Sequence, residues 1–522
     1  MTQAVVGSTT GGSTVAGGTG DDGAEAGRGE RRARPPVRDP GLDQRPWGPA
    51  RLSDPPLSPL SPEGEAAILA AVLHLLSETG VDFGSTDLAR QLRAAGCRVT
   101  GSHVRMPADF VTEMLGRVPA RFTITPRNAA RALHLGEGQI HFGPISSATH
   151  VWDLERGKRI GDFAAFRDMI RLSQMFNCVH FMGGYPVEPA DIPVPERHLR
   201  CMAEMLRLTD KTCHAYALNP AQAEESMEMV RLAANLSPSE FAAAPRMFTN
   251  INPVSPLRQE AAVMEAALRF ARNGQPVCVT AFAVAGATAP ASTAGAVVLA
   301  LAEALSAVVA LQWLVPGTPV MLGALIPIAD GLSGAQVYSG PASARMIQMI
   351  GQMCRRFGLP FRASGGCTAA IPDGQSIWEG AQALEAAQRS GATMVYHAAG
   401  WLEGGLTASP EKFLMDCEIL QRMARYEDPD LTATDPVSLA VAQIEAAVRG
   451  VAGFAASGPH PGGTGFLADL RPYEGRQQEG GIWTSERAHR LAARLLDEAQ
   501  DPPLDHAAQE ALARFEAAAR LV

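Results

Sequence analysis

The sequence predicts an α/β protein, a (β/α)8 TIM barrel with a small N-terminal α+β cap and a disordered N-terminal tail. Three observations lead there. From about residue 139, short apolar or β-branched runs alternate with amphipathic stretches of helical period, which reads as parallel sheet. The alternation repeats eight times, the number that closes a barrel rather than an open doubly wound sheet. Several strands open just after a proline (QP-VCV, TP-VML, LP-FRA), as the helix-to-strand turns of a barrel's N-terminal face require.

In chain order, residues 1–60 read as the tail. Gly, Ser and Thr dominate, then come mixed charges, then the Pro-rich DPPLSPLSPEG; such a stretch buries too little apolar surface to offset ordering entropy. The cap spans 61–138. Ser61 and Pro62 start its first helix, with Ile68, Val72 and Leu75 on one face and Gly80 as the stop. A second helix (STDLARQLRAAG), a strand pair around Cys97–Met106 and a third helix (PADFVTEMLGRVP) follow. The barrel spans 139–455, with strands expected at 140–144, 179–185, 212–218, 247–251, 277–284, 320–325, 361–366 and 394–400. Helices are expected at 162–176, 194–208, 220–236, 257–273, 291–314, 341–357, 374–389 and 410–424. DLERGKR, inside the first unit, reads as a hairpin turning at Arg156-Gly157. A helical extension occupies 456–522.

Composition narrows the function classes. Lys+Arg 45 against Asp+Glu 54 gives a net charge of −9, so nothing drives binding to nucleic acid or to an anionic membrane. The most apolar stretch, 293–315, is Ala-rich and broken by Glu303 and Gln312, so no membrane span is expected. No basic region followed by an apolar run opens the chain, and the 8 cysteines are dispersed without C-x-x-C spacing. A cytoplasmic protein with reduced, mostly buried thiols is expected, with no metal site. No Walker A loop or G-x-G-x-x-G at dinucleotide spacing supports a nucleotide cofactor.

Barrel chemistry sits at the C-terminal ends of the strands. Those positions hold Ser146, Ser147 and His150, then Tyr185 and Glu188, then His214 and Tyr216, then Asn250 and Asn252. Phe282 and Thr288 follow strand five, and Asp330 and Tyr338 strand six. Arg362, Ser364, Cys367 and Gln375 follow strand seven; Tyr396, His397, Trp401 and Glu403 follow strand eight. Aromatic rings with one or two carboxylates suit an organic cation, held by cation–π attraction and charge neutralisation. Asp330 and Glu403 as a carboxylate pair across the mouth would instead suit a barrel hydrolase or lyase.

The stretch HAAGWLEGGLTASPEKFLMDCEIL (397–420) resembles the trimethylamine:corrinoid methyltransferase family. So do GPISSATHVWDLERGKR (143–159), INPVSPL (251–257), GATAPASTAGA (286–296), PGTPVMLG (316–323) and the FGLPFRASGGCT–PDGQ stretch (357–375). The resemblance runs from about residue 62 to about residue 455. It implies a barrel that moves a methyl group from a methylamine to the cobalt of a separate corrinoid protein, with no cofactor bound tightly by this chain. GGCTAAIPDG (365–374) holds only ordinary residues where the archaeal members carry pyrrolysine, which places the chain with the non-pyrrolysine branch, glycine betaine methyltransferase-like. SGPHPGGTGF (457–466) keeps only Pro459-His460 of the family's histidine-rich segment. A quaternary amine loses methyl as a neutral tertiary amine, so the site must orient N–CH3 in a dry pocket rather than move a proton. Tyr185, Phe282, Tyr396 and Trp401 are the expected aromatic wall, and Glu403 or Asp330 the carboxylate facing the cation. If the substrate also carries a carboxylate, Arg362 or His397 is expected to pair with it, and Asn252 completes the binding set. Glu403, Asp330 and His397 are thus the candidate catalytic groups. The expected partners are a corrinoid protein, a small methylated amine and a second copy of the chain. A non-catalytic binding protein for a methylated solute is the further alternative.

Overall fold

All eight expected strands form. They are β1 Gln139–Phe142, β2 Phe181–Met182, β3 Thr212–Tyr216, β4 Phe248–Ile251, β5 Val277–Phe282, β6 Val320–Leu325, β7 Phe361–Ser364 and β8 Met394–Tyr396. The structure, a computed structural model, describes residue 42 and residues 44–519, apart from 217, 435–436, 452–464, 470 and 479. Each strand is followed by its helix: α1 Phe163–Met175, α2 Val194–Leu208, α3 Pro220–Ala233, α4 Ala261–Arg272, α5 Thr293–Leu314, α6 Pro341–Phe357, α7 Gly374–Arg389 and α8 Pro410–Tyr426. Side-chain caps from Asp162, Asn219, Ser292, Asp373 and Ser409 start α1, α3, α5, α7 and α8, as orphan N–H groups at a helix start require.

The strands lie in the order β1-β8-β7-β6-β5-β4-β3-β2, every neighbouring pair parallel, in one curled sheet. The expected closed barrel is not completed by strand pairing, because no ladder joins β1 to β2. Backbone bonds cross that seam singly, from His180 N to Phe142 O at 2.7 Å beside the strands and, in the loops beyond them, from Ser147 N to Tyr185 O at 2.6 Å and Glu188 N to Ala148 O at 2.7 Å. The Phe142 N–H is taken instead by His180 Nδ1 at 3.0 Å, and β2 is only two residues long.

The tail is a second correction. Residues 1–41 lie outside the described part, but residues 44–60 are folded, not disordered. Ala50–Arg51 pairs antiparallel with β1, Ala50 opposite Ile140. Trp47 meets His180 edge-on at 5.2 Å, under Arg131 at 4.8 Å and Lys211 at 5.4 Å. The segment then hydrogen-bonds Arg389, Arg355 and Gln352 on its way to Ser61.

Phe181, Phe248, Cys278, Met321, Met394 and Tyr396 fill the interior of the sheet. A hairpin that periodicity did not reveal, Phe122–Ile124 with Leu133–Leu135, packs into the same cluster. Helix α5 is long and apolar enough to cross a membrane by length and composition, yet 83% of its most apolar window is buried in the fold. Its interrupting polar residues have partners: Glu303 accepts from Ser255 Oγ and Leu257 N, and Gln312 bonds Thr318 O and Gly317 N. All eight cysteines are buried and unpaired. The Arg156-Gly157 hairpin forms as expected (His150–Asp153 with Gly157–Ile160). It joins Trp401–Leu402 and Thr407–Ala408 in a small sheet. The 457–464 stretch, with Pro459-His460, lies outside the described residues.

Candidate active site

A cavity of about 790 Å³ opens at the C-terminal ends of the strands. Its deep end is built by β3, β7 and β8. Arg362, on β7, is buried, with its guanidinium 4.1 Å from the Tyr396 ring centroid. Gly323 on β6 makes room for it: a Cβ there would stand 3.0 Å from Arg362 Cδ and closer still to Thr280 Oγ1. Arg362 Nη1 donates to Ser364 Oγ at 2.7 Å, and Nη2 lies 3.5 Å from His397 Nε2. No carboxylate pairs with it among the described residues. Its Nε, the Tyr396 hydroxyl, His397 Nδ1 and His214 Nε2 are all buried without a hydrogen-bond partner. Arg362 can only donate, so His397 turns a lone pair toward it and carries its proton on Nδ1. Nδ1 of His214 faces Gly183 O at 3.0 Å and must donate. Three donors without an acceptor therefore meet in one cavity, on Arg362, Tyr396 and His397.

Burial keeps these groups in fixed protonation states. Desolvation pushes His214 down to about 3. Desolvation, then the Arg362 charge and the neighbouring His214, holds His397 well below its usual range. Desolvation raises Tyr396 well above the usual phenol range. At neutral pH both imidazoles and the phenol are uncharged, and Arg362 is the charge at this end.

Aromatic side chains make the outer part. Trp401 stands 4.3 Å from the His397 ring and 5.5 Å from Tyr338, ring centre to ring centre. Phe282 and Tyr216 line the cavity as well. Tyr216 donates or accepts with Ser147 Oγ at 2.7 Å, and Tyr185 N donates to the Tyr216 hydroxyl at 3.2 Å. A polar wall runs through Asn250, Asn252 and Thr280: Asn252 Nδ2 donates to Thr280 O at 2.8 Å, and Asn250 Nδ2 to Asn252 Oδ1 at 3.1 Å.

The structure thus brings together Phe282, Arg362, Tyr396, His397, Trp401 and Asn252. It does not bring Tyr185, Asp330 or Glu403 to the cavity wall. Tyr185 packs behind Tyr216, with its hydroxyl on His198 O at 3.3 Å. Asp330 lies on a surface hairpin and accepts from Ser333 N and Oγ at 2.8 and 2.6 Å. Glu403 is held by Lys158 Nζ at 2.6 Å and by Thr407 Oγ1. The carboxylate that does line the cavity is Glu260, exposed at the N-terminus of α4. Expecting α4 to begin at 257 placed Glu260 inside a helix. Its position just beyond a strand-end loop was the signal that would have found it. Thr280, inside β5, gave none. Asp330 and Glu403 therefore do not form the carboxylate pair across the mouth that was expected of a barrel hydrolase or lyase. Among the described residues no group of three His, Cys, Asp or Glu is placed to hold a metal.

Residues 25–520 match the family described as trimethylamine methyltransferase (MTTB). The chain is 30% identical over 355 residues to the glycine betaine methyltransferase of Desulfitobacterium hafniense (strain Y51), covering 68% of this chain and 74% of that one. It is 23% identical over 366 residues to the trimethylamine methyltransferase MttB of Methanosarcina barkeri, covering 69% and 74%. The fold is similar to the crystal structure of the Methanosarcina barkeri monomethylamine methyltransferase MtmB, with TM-score 0.51 and 10% identity over 84% of this chain and 88% of that one. The relatives are named methyltransferases, and the match spans cap, sheet and C-terminal helices: this chain belongs to the trimethylamine methyltransferase family.

Proposed function

We propose that the protein takes a methyl group from a small quaternary amine that also bears a carboxylate and passes it to the cobalt of a separate corrinoid protein. The observation that carries this reading is Arg362, a buried guanidinium with no carboxylate partner, at the deep end of an otherwise aromatic cavity. A cation so placed repels a simple methylammonium and calls for an anion. A substrate that is cation at one end and carboxylate at the other satisfies both ends. The name of the glycine betaine relative agrees.

The roles divide along the cavity. Arg362, Tyr396 and His397 hold the carboxylate with the donors that otherwise lack acceptors. Trp401, Tyr338, Phe282 and Tyr216 face the methylammonium through their ring electrons. Glu260 supplies the negative charge near the opening that the sequence reading gave to Glu403 or Asp330. Held at both ends, the substrate presents one N–CH3 toward the mouth, and the rings exclude water from it. When the C–N bond breaks, its electron pair stays on nitrogen, so no proton moves. Two imidazoles held neutral fit that chemistry. The corrinoid supplies the nucleophile for the methyl group. Exposed Leu218, Val254 and Leu406 rim the cavity, where the corrinoid protein would dock.

The test is methylation of added cob(I)alamin with glycine betaine or with tetramethylammonium, in wild type and Arg362→Met. Losing one partner of a buried charge pair costs about 2–5 kcal/mol. KM for glycine betaine should rise at least about thirtyfold, with tetramethylammonium unaffected or improved. An equal loss for both compounds removes the carboxylate from the reading. Transfer from no methylated amine at all overturns it.

A further inference from the structure

We propose that Lys158, Glu403 and Thr407 form a latch that sets the aromatic wall, making Lys158 and Glu403 positioning residues for the methylammonium group. The inference rests on the methylammonium reading above.

Glu403 begins a tight loop that runs 403–406 along the cavity. Gly404, Gly405 and Leu406 line the cavity, whereas the Glu403 side chain does not. The loop backbone is left-handed at three successive residues: Glu403 at φ 50°, Gly404 at 63° and Gly405 at 95°. That conformation disfavours a side chain, so a Glu there needs something to hold it. Its carboxylate supplies the hold. Oε2 accepts from Lys158 Nζ at 2.6 Å and from the buried Thr407 hydroxyl at the far end of the loop. The backbone is tied on the other side, with Glu403 N on Ala369 O at 2.9 Å and Gly404 N on Cys367 O at 3.1 Å.

What the loop touches makes the latch functional. A Cβ on Gly404 would lie 2.6 Å from the Tyr338 ring, and one on Gly405 2.5 Å from the Trp401 ring. The loop backbone is thus seated directly on the two rings that face the cation. The Trp401 indole N–H reaches the same Cys367 carbonyl, at 3.0 Å, that anchors Gly404. Lys158 comes from the hairpin His150–Asp153/Gly157–Ile160, whose first strand pairs with Thr407–Ala408. The pair therefore ties a separate hairpin to the loop that backs the rings. If the loop shifts by a fraction of an ångström, the ring faces turn from the cation.

A direct role and a latch predict opposite signs for one substitution. Were Glu403 the counter-charge to substrate, Lys158→Met would free that carboxylate and tighten binding. As a latch member, Lys158→Met lets the loop relax and weakens binding. The measurement is calorimetric titration of the corrinoid-free full chain with glycine betaine. Lys158→Met and Glu403→Gln should each weaken binding about tenfold, the scale of one cation–ring contact. The near-isosteric Thr407→Val should weaken it in the same direction. The exchanged pair Lys158→Glu with Glu403→Lys should recover most of the affinity. In turnover the loss should appear in KM, with kcat retained at saturating substrate. Unchanged or tighter binding by folded Lys158→Met overturns the latch while leaving the functional reading in place. Wild type that binds no glycine betaine overturns both.

Discussion

Arg362 is a costly residue to bury. Desolvation lowers its pKa, and its compensation in the substrate-free protein is a tyrosine ring, a serine hydroxyl and a histidine lone pair. Replacing even a buried ion pair by apolar side chains is often neutral or stabilising, by about 1–4 kcal/mol, and Arg362 has no ion-pair partner to lose. Arg362→Met is therefore expected to raise Tm without substrate and to abolish the further rise that glycine betaine gives wild type. Paired thermal melts check both; a lower Tm without substrate would mean that the Tyr396 stack and the Ser364 bond outweigh the cost of burial. At this scale the sequence set Arg362, Tyr396, His397 and Trp401 at strand ends, and all four line the cavity, Arg362 and Tyr396 from β7 and β8 and His397 and Trp401 from the loop just beyond β8. It did not tell which way a loop side chain turns. Glu403 leaves the cavity because of backbone dihedrals and a lysine 245 residues away, and neither is visible in local pattern.

Among the elements, the eight strand–helix units were legible because the helices carry an apolar face of period 3.6, or in α5 are apolar all round, and each strand is a short run bounded by turn residues. The two-residue pairings were not, for Trp401–Leu402, Thr407–Ala408 and Ile328–Ala329 are too short to show any period. The C-terminal helix Thr484–Asp497 makes a titratable contact with α8. There His489 Nδ1 meets the fully buried carboxylate of Glu411 at 2.7 Å, and Nε2 meets Glu155 at 3.3 Å. Burial alone would lower the His489 pKa, but the two carboxylates outweigh it and raise the value. A base whose folded pKa is raised stabilises the fold fully below its unfolded value, near 6.5. That contribution is lost as pH rises through the folded value. Wild type should therefore lose more Tm between pH 6 and pH 9 than His489→Gln does. Parallel profiles for the two proteins would show that the histidine adds nothing to docking this helix.

For the whole molecule, the segment 44–60 matters more than its composition suggests. Averaged over sixty residues the N-terminus is polar and rich in Gly and Pro, and composition alone reads as disorder. Four apolar residues, Trp47, Leu52, Leu57 and Leu60, are spaced so that the prolines between them preset an extended path with little entropy left to lose. That path crosses parts of the fold distant in sequence. Leu52 N bonds Gly138 O before β1, Ser53 bonds Glu427 beyond α8, and Leu57 N bonds Arg389 O at the end of α7. It also covers the sheet where closure is weakest. Trp47 packs on His180, the residue just before β2 whose N–H bonds Phe142 O of β1, and Ala50–Arg51 occupies the outer edge of β1. Losing a packed Trp costs about 3 kcal/mol or more, and the strand pair and carbonyl bonds add to that. A chain starting at Ser61 should melt several degrees below one starting at Leu42. Its added amide exchange should concentrate in β1, β2 and the C-terminal ends of α6 and α7. Equal melting temperatures would show that the segment only lies on the surface. A loss spread evenly over all eight units would show that it stabilises the sheet as a whole rather than its seam.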